Sequence, residues 1–163
     1  MTTIIDGNSG IIFPNSTTQA SAGQVLQVVS GYFSTFSSTT STSQTTTGMS
    51  LNITTKQPNS RIVFIGSIGS NPNQGTTATN VTIFTLKRNS SQINQWQHRV
   101  TKYVTGQNGD YDVNISLNYL DAAGVATGTT LTYELFYGVN NSGDNVRVND
   151  NTKSYIILQE IAA

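Results

Sequence analysis

The chain carries a single histidine, His98, set in Trp96-Gln-His-Arg-Val100, and no cysteine. An imidazole can activate a hydroxyl nucleophile, and 18 serines are present, but no Gly-X-Ser-X-Gly elbow accompanies them. Without cysteine there is no thiolate nucleophile, no disulfide and no Cys-based zinc site. The carboxylates are Asp6, Asp110, Asp112, Asp121, Glu134, Asp144, Asp150 and Glu160. Asp110 and Asp112 share one strand face beside the loop Asn108-Gly-Asp-Tyr-Asp112, where hard oxygen ligands could hold Ca²⁺. The acidic spacing of a calcium loop is missing, and a solvated strand start is the simpler reading. No Gly-Lys-Ser/Thr or Gly-X-Gly-X-X-Gly phosphate cradle occurs. The expectation is therefore a protein that is not an enzyme, with no catalytic residue, no cofactor and no metal.

The tyrosines pose the remaining chemical question. Tyr111, Tyr119, Tyr133 and Tyr137 could line a sugar-binding surface, but tyrosines at alternating strand positions more often build a core or a subunit interface. The elements that hold them are legible. Tyr111, Val113, Ile115, Leu117 and Tyr119 alternate with Asp112, Asn114, Ser116 and Asn118, which is the period of a half-buried antiparallel strand. Leu131, Tyr133, Leu135, Tyr137 and Val139 repeat the pattern, with Phe136 interrupting the polar face. We assign Tyr111, Val113, Ile115, Leu117, Tyr119, Tyr133, Leu135 and Tyr137 to the core or to a trimer interface.

Further strands are expected over Gln24 to Phe36 (one long or two short), Met49 to Ile53, Arg61 to Ile68, Val81 to Leu86, Trp96 to Val104, Val146 to Val148 and Tyr155 to Ile161. The nearly unbroken apolar run from Arg61 to Ile68 predicts burial on both faces. Gly, Pro, Asn and Ser clusters separate the strands, as in Gln57-Pro-Asn-Ser60 and Asn140-Asn-Ser-Gly143. Ser34 to Thr47 is low in complexity and is expected to form a short exposed strand and loop. Short strands at this spacing predict an all-β antiparallel β-sandwich, a jelly roll, over residues 24–163.

Composition agrees. The 163 residues include 25 Thr, 18 Ser and 17 Asn, residue types that favour strands and turns. Charged residues make up 10% of the chain, against roughly 25% in an ordinary soluble domain. Eight basic residues balance eight acidic ones. A neutral surface offers no footprint for nucleic acid or an anionic membrane, so neither is expected as a partner. No run approaches the ~20 apolar residues of a membrane helix, and Met1-Thr-Thr-Ile-Ile-Asp6 does not resemble a signal peptide. Low charge also removes one protection against sheet-edge association, which makes oligomerisation a natural outcome.

Residues 1–23 differ from the rest. Ile4, Ile5, Ile11, Ile12 and Phe13 lie among Gly7, Gly10, Pro14 and Gly23, in a segment too short to fold alone. Each large apolar side chain left in water forgoes roughly 1.5–3 kcal/mol. The segment is expected to be an extended N-terminal arm that docks these five residues onto its own subunit, a sister subunit or another partner.

The sequence Asp6-Gly-Asn-Ser-Gly-Ile-Ile-Phe-Pro-Asn-Ser-Thr-Thr-Gln19 resembles a segment of tailed-bacteriophage virion structural proteins, in which it precedes a β-rich domain. Gly23-Gln-Val-Leu-Gln-Val-Val29 is similar to the strand that opens that domain. Tyr155-Ile-Ile-Leu-Gln-Glu-Ile-Ala-Ala163 looks like its last strand. The resemblance implies a homotrimer with a jelly roll of the tumour-necrosis-factor or C1q type, located on the capsid surface or tail of a virion. A compact domain with a short apolar arm suits a capsid cement or decoration protein that binds the major capsid protein or another virion protein. The alternative is a small trimeric tail fibre or receptor-binding protein that recognises host surface glycans.

Overall fold

The computed structural model describes residues 4–6, 10–12, 23–73, 79–101 and 112–163. Every regular element among them is a β-strand. Near the N-terminus β1 (Ile4–Asp6) and β2 (Gly10–Ile12) pair antiparallel with each other, Ile4 opposite Ile12, as a two-stranded ladder separate from the other sheets. Phe13 and Tyr111 lie outside the described residues, and so do the side chains of Ile4, Ile5, Ile11 and Ile12.

The body contains β3 (Val25–Phe33), β4 (Ser37–Thr39), β5 (Thr45–Thr54), β6 (Arg61–Asn73), β7 (Thr79–Arg88), β8 (Ser91–Thr101), β9 (Val113–Asp121), β10 (Thr130–Val139), β11 (Asn145–Val148) and β12 (Ser154–Ile161). One sheet has the order β5-β10-β7-β8. In the other, β6 pairs β9 along one edge and, along its opposite edge, first β12 and then β11; β3 flanks β12 and β4 flanks β11. Its principal order is thus β3-β12-β6-β9. Of the connections between the eight principal strands, only β7 to β8 stays within a sheet. This alternation of sheets is the winding of a jelly roll. The all-β antiparallel sandwich expected from the sequence is the fold observed.

Local chemistry explains the winding. At the β7–β8 hairpin, Asn89 and Ser90 both have positive φ, 48° and 69°, and Arg88 faces Ser91. Two consecutive left-handed residues make a type I′ turn, whose twist matches that of paired strands. Strand β8 therefore begins at Ser91, ahead of the expected Trp96. In β5, Gly48 takes φ 77° where the pairing with β10 shifts between Glu134 and Phe136, a bulge that glycine accommodates without a Cβ penalty.

The core lies between the sheets. Phe84, Leu131, Tyr133, Leu135 and Tyr137 from one sheet meet Ile62, Phe64, Leu117, Ile156 and Leu158 from the other. The run Arg61 to Ile68 departs from expectation. Ile62, Phe64 and Ile68 are buried, whereas Val63 and Ile65 point outward and are half-buried. Its unbroken apolar character reflects an apolar outer face of the sheet, not a second core.

Candidate functional site

The alternating rows singled out in the sequence go inward. Ile115 and Leu117 are buried, Val113 and Tyr119 pack half-buried against the core, and Tyr133, Leu135 and Tyr137 are fully enclosed. Buried tyrosine hydroxyls need partners, and both have them. Tyr137 bonds the Ser37 hydroxyl at 2.6 Å, and Tyr133 donates to Asp121 Oδ2 at 2.7 Å. Burial, then the Asp121 bond, raises the Tyr133 phenol above its ordinary range, and Arg88 only partly offsets this. Arg88 Nη1 closes the group, 2.8 and 2.7 Å from the two Asp121 oxygens. These tyrosines staple the sandwich and are not available to a sugar.

Glu160 is a second interior carboxylate. It receives Gln27 Nε2 at 2.5 Å, Ser60 Oγ at 2.6 Å, and the backbone N–H groups of Lys56 at 2.8 Å and Gln57 at 3.2 Å. Burial alone would raise its pKa. The bonds from Ser60, Gln27, Lys56 and Gln57 outweigh burial and hold the carboxyl below 4.5. Glu160 thereby ties the loop after β5 to β12. Sequence reasoning assigned no role to Glu160 or Asp121, although strand parity places both in inward rows: Ile156, Leu158, Glu160 and Leu117, Tyr119, Asp121.

His98 stands opposite Thr82 on the edge strand β8. Its Nδ1 is buried with no hydrogen-bond partner among the described residues, and burial lowers its pKa. Among the described residues no carboxylate is paired with it. Asp112 Oδ1 accepts from Asn71 Nδ2 at 3.1 Å, while Asp110 is outside the described residues. Among the described residues no three His, Asp or Glu side chains cluster as a metal site.

The two outer faces of the sandwich differ sharply. Outside the β5-β10-β7-β8 sheet stand Ser50, Asn52, Thr54, Gln95 and Gln97, all exposed, and the Lys87 ammonium sits 3.7 Å over the Phe136 ring. Outside the β3-β12-β6-β9 sheet the chain presents Val28 (55% exposed), Tyr32 (49%), Leu120 (51%) and Tyr155 (51%). The register sets them in rows shared with polar residues: Val28 faces Gln159, Gln159 faces Val63, and Val63 faces Leu120, while Ser30, Ser67, Asn118 and Ser116 fill the adjoining outward positions. One step along, Ile157 faces Ile65, and Tyr155 faces Tyr32 with ring centroids 4.9 Å apart. Lys153 Nζ lies 5.4 Å above the Tyr32 ring at the end of this face. The sequence reading missed this surface because Tyr155-Ile-Ile-Leu is apolar on both parities.

No protein-family model matches the chain, and no curated protein matches it. Among solved structures, dimeric latent PorU from Porphyromonas gingivalis is similar at TM-score 0.47 and 9% identity, over 87% of this chain and 14% of that one. Eiger TNF from S. frugiperda is similar at TM-score 0.42 and 12% identity, over 83% of this chain and 93% of that one. The infectious bursal disease virus VP2 subviral particle is similar at TM-score 0.41 and 14% identity, over 97% of this chain and 45% of that one. The chain thus spans a small part of the PorU chain and under half of the VP2 chain.

Proposed function

We propose that the chain is a non-enzymatic structural component of a tailed-bacteriophage virion, a homotrimeric cement or decoration protein that binds the major capsid protein. One observation carries the division of labour. The jelly roll closes on itself at its termini: Gly23 N–H donates to the Ala162 carbonyl at 3.1 Å, and Ala162 N–H donates to the Gln24 carbonyl at 2.9 Å. β1 and β2, before that clasp, add no strand to either large sheet. Residues 1–22 carry five large apolar side chains. On this reading they bind the virion partner while the jelly roll forms the trimer. The resemblance of Asp6 to Gln19 and of the last strand to phage virion proteins supports the same assignment.

The exposed Tyr32–Tyr155 ring pair favours the second reading, a small tail fibre that stacks host sugars on aromatic rings. Quantitative mass spectrometry of purified particles separates the two. Cement is present in hundreds of copies and a fibre in a few trimers. Absence from purified particles overturns both.

A further inference from the structure

His98 is the one imidazole of the chain and the one side chain of β8 that can change its charge near neutral pH. It stands on a border strand, since β8 is laddered to β7 alone. Along β8, Gln95, Gln97 and Arg99 are exposed, while Trp96, His98 and Val100 turn inward and are half-buried. The Trp96 indole stacks on the buried Phe64 ring of the opposite sheet, centroids 6.1 Å apart. Two residues on, His98 faces the fully buried Thr82, and its Nδ1 is enclosed without a hydrogen-bond partner among the described residues. We propose that His98 is a proton-operated latch on β8. The neutral imidazole lets the C-terminal half of the strand lie against the sandwich; the imidazolium drives it off, uncovering Trp96 and the edge of β7.

Two facts set the charged ring against its place. Both nitrogens of an imidazolium carry protons, so charging His98 puts an N–H on Nδ1 whichever tautomer preceded it, and no acceptor meets it among the described residues. Nor does any described carboxylate neutralise the charge. From β7 the row beside His98 is Asn80, Thr82 and Phe84, none of them ionisable. The cations of β7, Lys87 and Arg88, lie at the hairpin end, on Phe136 and Asp121. The strand of the other sheet that touches β8 is β9, which turns Val113, Ile115, Leu117 and Tyr119 inward. Its Asp121 is held by Arg88 and Tyr133, and Asp112, just ahead of it, accepts from Asn71. Asp144 adjoins Asn145, whose carbonyl Asn80 binds, and takes the Asn141 amide at 3.4 Å. In β6 the inward row of Phe64, Ile68 and Ser70 carries no ionisable group. Arg99 is exposed on the outward row. Burial of the ring also lowers its pKa, so the folded protein keeps His98 neutral where an unfolded chain would charge it. Its contribution to stability is therefore full above pH 6.5 and lost as pH falls through the folded pKa. A strand with one ladder and a tight turn at its start gives way at its other end, from Thr101 back toward Trp96. The latch is independent of the cement and fibre readings.

The chain has one histidine and one tryptophan, on the same row of the same strand, so each can be followed alone. Proton NMR of the full chain follows the imidazole, and fluorescence follows Trp96, between about pH 8 and 5, above the range in which carboxylates ordinarily titrate. The imidazole midpoint is expected below 6.5, and the Trp96 emission should shift reversibly to the red with the same midpoint. In hydrogen exchange, the β8 amides from Gln97 to Thr101 should lose protection as the ring charges, while those of β10 hold. His98→Gln, uncharged throughout, should abolish these responses to pH. If that variant does not fold, coincidence of the two wild-type midpoints and the loss of β8 protection decide the matter. An imidazole midpoint at or above 6.5 overturns the latch, because the folded protein would then accept the charge where it sits. An imidazole that charges with Trp96 emission and β8 protection unchanged overturns it too, as does a red shift that H98Q retains.

Discussion

Tyr133 and Asp121 join the two sheets of the sandwich: the phenol of β10 donates to the carboxylate of β9 at 2.7 Å, beneath the Arg88 guanidinium. Both residues are buried: without Asp121 the phenol would lose its acceptor, and without the phenol Asp121 would keep only Arg88. Tyr133→Phe keeps the ring and deletes only the donor. It should lower stability by about 1.5–3 kcal/mol, the range for a hydrogen bond to a charged group. Urea denaturation measures this, and a loss below about 0.5 kcal/mol would show that the bond contributes nothing net.

The register of β9 gives a second expectation. Ile115 is 8% exposed and faces the core, while its neighbour Ser116 faces solvent. Ile115→Ala should cost about 2–5 kcal/mol, because it deletes buried methyl groups and leaves a cavity. Ser116→Ala should change stability by no more than about 0.5 kcal/mol. Equal effects at the two positions would mean that the strand is shifted by one residue.

The same period explains how much of the fold was legible. Val113 to Asp121 and Leu131 to Val139 alternate so cleanly that both the strands and their buried faces follow from the residues alone. Arg61 to Ile68 and Tyr155 to Ile161 are apolar on both parities, so the sequence identifies each strand and is silent on which face meets the core. That ambiguity hid the outer face carrying Val63, Ile65, Tyr155 and Ile157. The β7–β8 hairpin was missed for a different reason. Asn89-Ser90 lacks the glycine that marks a type I′ turn, and the polar Ser91-Gln-Ile-Asn-Gln95 conceals the start of its strand.

Glu160 gives the fold a dependence on acid. Its carboxyl is held below 4.5 in the folded state by donors that an unfolded chain does not supply. A group whose folded pKa is depressed adds stability that is full above the unfolded pKa and lost as pH falls through the folded one. Stability should therefore decline below about pH 4.5. Glu160→Gln should be less stable at neutral pH by about 1–3 kcal/mol, since an amide accepts less well and brings an unpaired N–H₂. The gap between the two proteins should narrow as pH drops below the ordinary carboxylate range and the folded carboxyl takes up its proton. Parallel stability curves across that range would exclude Glu160 as the source.

The last expectation concerns where the fold begins. Gly23 and Gln24 are bound to Ala162 by two backbone hydrogen bonds, and Gln27, three residues on, donates to Glu160. On the attachment-arm proposal the jelly roll needs nothing from the chain ahead of Gly23. Deleting residues 1–22 should leave the melting profile and the oligomeric state unchanged while abolishing association with virus particles. Deleting residues 1–30 removes the β3 partners of Ile157 through Ile161 and the Gln27 bond, and should prevent folding. Co-sedimentation of each purified protein with particles stripped of it gives the readout. If the shorter deletion aggregates, or if it folds and still binds particles, residues 1–22 are not a separable attachment arm.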